Sequence, residues 1–495
     1  MNNKLILVLA AVSLVACSGA DPEKAATNGQ DIPTSFAVGS TTFFIHDESR
    51  AFDTVAGVDS GIRTLITEIW YPVDVDSTDG YERATYGDYV FGSREVHQLM
   101  MTATTFFHMT PDSVREGVTP EQIDGAIDEL FTRERQSFVD APLAKAPASF
   151  PVVVMSHGDA GSRYNMESVC EYLAARGYVV IAAEHTGNSP WSMTGSDPAL
   201  SSDEDFANRM RDVVELLNEH GAYGPADNYG QSYSPLLGEK DPVEFLRDLD
   251  KSLLQRLNDL RAVLAKLDGL NAEGAWAGRL DLQRIGLMGR SFGGATTIMG
   301  LAMEPRFTAG FAVVPPAWAD PRAALPAAVL AQPGVESVLL AADGPFPLAT
   351  ISKPTVLLSG AEDGLIIGLA ASSGAVATPE NPHPLLRNIY ESTQAPVVWG
   401  LLANSNHGSF GVSGPFWWPE LKPNTQKRFF SPEETFELVE PAVAHKLQKE
   451  LALAFFDLTI RLDPSALSGL HDEKFRAHGL SLELRNFRSA EDAAP

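Results

Sequence analysis

Residues 285–304 read IGLMGRSFGGATTIMGLAME, and this stretch decides the fold. Its first four residues form an apolar run typical of a buried parallel strand, and the residues after the serine have the composition of a buried helix. Gly289 and Gly293 flank Ser291 in the pattern G-x-S-x-G. A serine at such a sharp strand-to-helix turn is held out of the sheet in a strained conformation. The stretch therefore predicts a nucleophilic serine at the edge of a parallel α/β sheet.

The same alternation of strand and helix extends along the chain. Apolar runs at 151–155 and 178–183 enclose a helical pattern at 166–176. Strand, helix, strand is a parallel crossover unit, so we expect one mostly parallel central sheet with helices on both faces. Further strands are predicted at 41–46, 63–71, 311–314, 355–359 and 397–402, and long helices at 243–267 and 441–461.

Two stretches interrupt this alternation and are predicted to be insertions in a single domain spanning 36–495. The first, at about 81–146, has helix-forming, partly apolar segments, and the second, at about 186–240, is rich in Gly, Pro, Ser and Asn. The apolar part of the first insertion and the pair Trp417-Trp418 are candidates for a lid and an apolar acyl site. The alternative is that they simply pack against the core.

The N-terminus is predicted to carry an export signal. The apolar run at 5–16 is too short to span a bilayer and ends in Leu-Val-Ala before Cys17. This ending resembles the lipobox of bacterial lipoproteins, in which the cysteine is acylated and becomes the first mature residue. We therefore expect a signal peptide at 1–16, a tether at 17–35 and a lipid anchor to a bacterial membrane; Ser18 resembles the outer-membrane sorting pattern. The alternative is an ordinary secretory signal with an incidental cysteine.

Composition limits the partners of the chain. A formal net charge of −27 is incompatible with neutralising nucleic-acid phosphates. The two cysteines are Cys17 and Cys170, so lipidation of Cys17 leaves Cys170 without a disulfide partner, as a small buried packing residue. Cysteines and histidines do not cluster at metal-ligand spacing, and no metal is expected.

A serine needs a base within hydrogen-bond reach, and in this arrangement the chain order is serine, acid, histidine. Asp363 follows the strand at 355–359, and His407 follows the strand at 397–402. Both lie where parallel α/β sheets place their chemistry, at the carboxyl ends of strands. Glu362 competes with Asp363 for the role of the acid. The other histidines after Ser291 lie in less favourable contexts: His383, His445, His471 and His478.

Two backbone N–H groups are needed to hold a developing oxyanion. Phe292, the residue after the serine, supplies the first at the start of a helix. The second is expected from Asp159, in the turn that follows the strand at 151–155, where Gly158 lets the chain turn closely. The alternative for His157-Gly158 is a simple tight turn, and His157 is expected to be structural.

The motifs Trp70-Tyr71-Pro72, Ser156-His157-Gly158, Glu184-His185 and GRSFGGAT at 289–296 resemble the platelet-activating-factor acetylhydrolase-like branch of the α/β-hydrolase fold. The serine turn and the Asn-x-x-His stretch ending at His407 are similar to bacterial polyester hydrolases and cutinases. The resemblance implies a carboxylic ester hydrolase, with small-molecule or lipid-like esters as substrates and no cofactor.

The sequence departs from the acetylhydrolases at the acid. That family places it after the strand that follows the serine turn, where this chain has no carboxylate before Asp320. The acid is therefore expected one strand later, at Asp363, which weakens the case for phospholipid specificity. Two other functions stay open: thioester or peptide cleavage on the same fold, and a catalytically inactive lipoprotein that binds ligands or partners.

Overall fold

The structure is a computed structural model that describes residues 36–55, 57, 62–90, 94–102, 105, 114–189, 241–330 and 335–487. The predicted signal peptide, the tether with Cys17 and most of the second insertion lie outside the described residues.

An eleven-stranded sheet forms the centre of the domain. The strands are β1 Ala37–Asp47, β2 Arg63–Val73, β3 Arg83–Thr85, β4 Glu134–Val139, β5 Phe150–Ser156, β6 Val179–Ala183, β7 Leu280–Arg290, β8 Phe307–Val313, β9 Thr355–Gly360, β10 Val397–Leu402 and β13 Leu480–Arg485, with a separate hairpin of β11 Thr425–Lys427 and β12 Thr435–Glu437. The order across the sheet is β13-β10-β9-β8-β7-β5-β6-β2-β1-β4-β3. The six strands from β6 to β10 in this order run parallel, as predicted.

Helices cover both faces of the parallel strands. They are α1 Arg94–Thr102, α2 Pro120–Thr132, α3 Glu167–Ala174, α4 Pro242–Ala272, α5 Phe292–Met303, α6 Gly364–Ser372, α7 Pro384–Ser392, α8 Pro441–Thr459 and α9 Asp472–Arg476. In β7, Leu287 packs with Leu260 of α4, whereas its neighbour Met288 belongs to the core that contains Phe456 of α8. Because successive strand residues point to opposite faces, α4 and α8 lie on opposite sides of the sheet. The predicted two-sided arrangement is confirmed.

The first insertion differs from the prediction of a helical segment. Besides α1 and α2 it contributes two strands to the sheet: β4 pairs in parallel with β1, and β3 pairs with β4. Trp417 and Trp418 are both 2% exposed and belong to the main hydrophobic core, where Trp417 packs edge-on against Tyr86 at 5.0 Å between ring centroids. Core packing therefore accounts for this tryptophan pair.

Two further features are the cysteine at position 170 and the character of the helices. Cys170 is a free, fully buried cysteine within α3, as expected of a packing residue. Within the part of the chain that the structure describes, no helix combines the length and the apolar character that a membrane span requires.

Candidate active site

Ser291 lies in a strained turn between β7 and α5. Its backbone φ of 57° and ψ of −125° lie outside the regions that L-residues favour, a conformation that costs about 1–3 kcal/mol. Close packing explains the flanking glycines: a Cβ on Gly289 would lie 2.3 Å from the carbonyl oxygen of Gly293, and a Cβ on Gly293 would lie 2.0 Å from that of Ser156. The surrounding backbone therefore holds Ser291 at the carboxyl end of β7.

Asp363 and His407 meet at the ends of two neighbouring strands. Asp363 follows β9, is fully buried, and accepts a hydrogen bond from Nδ1 of His407 at 2.8 Å through its Oδ2 atom. Its Oδ1 atom accepts the backbone N–H of Ile366 at 3.2 Å, so the same carboxylate caps α6. Both oxygens are engaged, which fixes the orientation of the carboxylate and of the imidazole bound to it.

The opposite ring nitrogen of His407 remains available. Nε2 is buried and has no hydrogen-bond partner among the described residues, including Ser291. Arg290, which precedes Ser291, donates a hydrogen bond from Nη2 to the carbonyl oxygen of His407 at 2.5 Å, which links the serine turn to the loop that carries His407. Hydrogen bonds between a nucleophile and its base are often long before substrate binds. The arrangement leaves Nε2 as a proton acceptor without a partner among the described residues.

Burial and charge set the protonation of this pair. Burial lowers the pKa of His407 below its ordinary value, and the nearby cation of Arg290 lowers it further, against the opposing effect of Asp363. Burial would raise the pKa of Asp363, but the charge and hydrogen bond of His407 hold that pKa below its ordinary value. Burial lowers the pKa of Arg290 to about 10, so Arg290 remains a cation at neutral pH. His407 is therefore neutral, as a base must be, and Asp363 is ionised.

A pH profile tests the influence of Arg290. A histidine that serves as a base acts in its neutral form, above its pKa. With His407 as the base of an ester hydrolysis, kcat/KM is expected to rise with pH through the pKa of His407, at a midpoint below the ordinary pKa of histidine. Arg290→Gln removes the cation and is expected to move this midpoint to higher pH. Arg290→Lys keeps the charge and serves as the control, with a midpoint close to that of the unmodified protein. Equal midpoints in the two variants would contradict this account.

The segments of the expected oxyanion site border Ser291. Phe292 is the first residue of α5, where the backbone N–H has no acceptor within the helix. The turn after β5 comes close to the serine, because a Cβ on Gly158 would lie 3.1 Å from Cβ of Ser291. Asp159 follows in this turn, and its side chain accepts a hydrogen bond from Asn188. Both predicted donor segments therefore border Ser291.

The other candidates for the acid and for the histidine of the site have partners of their own. Glu362 forms an ion pair with Arg428 and accepts the backbone N–H of Phe429 at 3.0 Å. Asp320 lies at the surface and binds Arg322 at 2.7 Å. Among the other histidines, His383 binds the carbonyl oxygen of Gly360, His445 pairs with Ser168, and His157 bridges the carbonyl oxygen of Gly158 and the backbone N–H of His185.

No group of three or more His, Cys, Asp or Glu side chains within the described ranges could hold a metal ion.

The site also contains a residue that sequence reasoning missed. Arg290 occupies the variable position of G-x-S-x-G, where the motif gives no information about the side chain, and its contact with His407 depends on the folded chain.

The sheet order, the helices on both faces and the strained serine turn are those of the α/β-hydrolase fold. A solved structure described as ferulic acid esterase from Streptomyces cinnamoneus is similar to 92% of this chain and 98% of its own, with a TM-score of 0.53 and 20% sequence identity. At that identity the similarity establishes the fold.

Sequence comparison finds partial similarity to one family of enzymes. Residues 123–216 match the family described as platelet-activating factor acetylhydrolase, isoform II. The platelet-activating factor acetylhydrolase of Bos taurus is 29% identical over 178 residues, which are 35% of this chain and 36% of the relative. That of Gallus gallus is 26% identical over 179 residues, 34% of this chain and 39% of the relative. The chain thus has the α/β-hydrolase fold and is similar in part to the platelet-activating factor acetylhydrolases; the matched part is less than two fifths of each of these curated relatives.

Proposed function

We propose that this chain is a serine carboxylesterase in which Ser291 is the nucleophile, His407 the general base and Asp363 the residue that orients the base. The observation that carries this proposal is the geometry of His407. Its Nδ1 atom donates to a buried carboxylate at 2.8 Å, while its Nε2 atom has no hydrogen-bond partner among the described residues. Arg290, the residue before Ser291, donates to the backbone carbonyl of His407, which links the serine turn to this histidine. A neutral imidazole held in this tautomer can accept the proton of a serine hydroxyl.

The proposed reaction is acyl transfer. His407 removes the proton from Ser291 as the serine Oγ attacks the ester carbonyl, and the backbone N–H groups of Phe292 and Asp159 bind the oxyanion that forms. Protonated His407 then gives its proton to the departing alcohol, which leaves an acyl-enzyme. A water molecule, deprotonated in turn by His407, releases the carboxylic acid and restores the serine. No cofactor takes part in these steps.

The proposed substrates are carboxylic esters with short- to medium-length acyl chains, including lipid-like and polyester substrates. Both kinds of similar protein support an ester as the substrate, since their names refer to an acetylhydrolase of platelet-activating factor and an esterase of ferulic acid. The acid at Asp363, after β9, departs from the position expected in the acetylhydrolases. For this reason we do not extend their phospholipid substrate to this chain.

Labelling with a fluorophosphonate probe tests the proposal directly. The probe reacts with activated serines, and we expect one covalent adduct, located at Ser291 by peptide mass spectrometry. Denatured protein is the control, because activation depends on the folded His407. Absence of labelling would support an inactive binding protein instead. A labelled protein that cleaves peptide or thioester substrates faster than p-nitrophenyl esters would keep the serine mechanism and replace the substrate class.

We also propose that Cys17 is lipidated and anchors the exported enzyme to the bacterial outer membrane. The support is the sequence alone, an apolar run that ends in Leu-Val-Ala before the cysteine. One diacylglycerol-modified residue with an N-acyl chain carries three acyl chains, enough for stable anchoring where one is marginal. Mass spectrometry of the mature N-terminus is expected to find this modification, and Cys17→Ser is expected to release the protein from the membrane fraction. An unmodified Cys17 in the mature protein would refute the anchor.

A further inference from the structure

Arg256, on α4, lies directly beneath the turn that follows β5. Its guanidinium is fully buried and donates hydrogen bonds to the carbonyl oxygens of His157 at 2.7 Å and Gly158 at 3.1 Å. It also donates to the hydroxyl oxygen of Ser156 at 3.2 Å. One side chain therefore binds three consecutive residues, and the next residue along the chain is Asp159.

Asn188 extends this contact to Asp159 itself. Its side-chain oxygen accepts hydrogen bonds from Nε and Nη2 of Arg256, and its amide nitrogen donates to Oδ1 of Asp159 at 2.5 Å. The backbone before Asp159 and the side chain of Asp159 are thus both tied to the same guanidinium. This double connection restricts the direction in which the peptide N–H of Asp159 can point.

The same guanidinium touches the second oxyanion segment. Its central carbon lies 4.5 Å from the centroid of the Phe292 ring, in a cation–π arrangement. It also donates to the hydroxyl oxygen of Thr296 at 3.4 Å, and that hydroxyl donates to the carbonyl oxygen of Phe292 at 2.9 Å. Arg256 therefore contacts both segments that carry the proposed oxyanion donors.

A buried relay of hydrogen bonds holds Arg256 in place. The hydroxyl of Ser156, which accepts from Arg256, lies 2.9 Å from Nε2 of His185, and Nδ1 of His185 lies 3.0 Å from Oδ2 of Asp259. Burial, aided by the charge of Arg256, lowers the pKa of His185 to about 4, so its imidazole is neutral. Asp259 in turn binds Arg63 through two hydrogen bonds of 2.7 and 2.9 Å. Ser156, His185 and Asp259 are the three residue types of a catalytic triad. Ser156 is nevertheless completely buried, so it cannot meet a substrate.

We propose that Arg256 is the positioning residue of the oxyanion site, holding the Asp159 turn and Phe292 at a fixed separation. The inference rests on the proposed esterase function. Electrostatic stabilisation of a transition state requires donors fixed in advance, and a displacement of about 1 Å can cost about 10²-fold in rate. A planar group with five N–H donors can serve acceptors on both segments at once, which the ammonium of a lysine cannot.

The test compares Arg256→Lys with Arg135→Lys in the full-length protein. Arg135 is a matched control because it is also buried and binds side chains, those of Glu68 and Ser40, away from the oxyanion turn. For hydrolysis of p-nitrophenyl acetate we expect Arg256→Lys to lower kcat about 10²-fold with KM within about threefold. Its affinity for a phenylboronic acid, which forms a tetrahedral adduct on the serine, is expected to fall by a similar factor. Arg135→Lys is expected to keep both values within about threefold.

Asn188→Ala provides a second, milder variant, because it removes the link between Arg256 and Asp159 and leaves the guanidinium of Arg256 in place. We expect about a tenfold loss of kcat in a folded protein. The inference is overturned if both variants fold and retain the kcat and boronate affinity of the unmodified protein. It is also overturned if the losses in Arg256→Lys and Arg135→Lys are equal. If the unmodified protein neither hydrolyses esters nor reacts with a fluorophosphonate, the proposed function fails and the positioning role falls with it.

Discussion

Replacing Ser291 with Ala is expected to leave a folded protein whose kcat for a p-nitrophenyl ester has fallen by about 10⁴-fold or more. The substitution removes the Oγ atom that forms the proposed acyl-enzyme. The fold should tolerate the change, because Ala pays the same backbone strain at a φ of 57° and creates no close contact. Steady-state kinetics and a urea denaturation curve measure the two effects separately.

Ser168→Ala is a suitable control for this variant. Ser168 forms a hydrogen bond of 2.7 Å with Nδ1 of the buried His445, so it is also part of a Ser–His pair. It lies in α3, and its partner is His445, which has no hydrogen bond to Asp363 or Ser291 among the described residues. We expect its loss to change kcat by no more than about threefold. If Ser291→Ala retained more than about a tenth of the original activity, the nucleophile would have to be another residue.

The central part of the fold could be predicted because its strands are buried on both faces. The runs that became β5, β6, β9 and β10 consist almost entirely of apolar residues, and their positions in the structure agree with the prediction within about two residues. Strands at the edge of a sheet lack this signal. β4 reads ERQSFV, and its polar residues are paired by contacts such as that of Arg135 with Glu68, which only the folded chain reveals.

The candidate site also contains residues that the sequence identifies and others that only the folded chain reveals. Ser291 was marked by a motif, and Asp363 and His407 by chain order and by their places after strands. Arg256 was overlooked because charged residues on a helix are usually solvated. One signal was present: Arg256 lies three residues after Leu253 and four before Leu260, on the leucine face of α4. A charged side chain at an apolar position of a helix indicates a buried polar network, although its partners cannot be read from sequence.

The second large effect is expected from Asp363→Asn. The amide oxygen of Asn can still accept the N–H of Ile366, as Oδ1 of Asp363 does at 3.2 Å. Its NH₂ group would then face Nδ1 of His407 and donate to it, which places the imidazole proton on Nε2. In that tautomer His407 cannot accept the proton of Ser291. We expect kcat to fall by about 10³–10⁴-fold with little change in KM.

Glu362→Gln and Asp320→Asn are the matched controls, since each converts a competing carboxylate to its amide. Glu362 is engaged by Arg428 and Asp320 by Arg322, and neither contact involves His407. Each change is therefore expected to lower kcat by less than about tenfold. A loss for Glu362→Gln or Asp320→Asn as large as that for Asp363→Asn would assign the acid to a different carboxylate. The esterase proposal would survive that outcome, because it depends on Ser291 and His407, whereas the role of Asp363 would not.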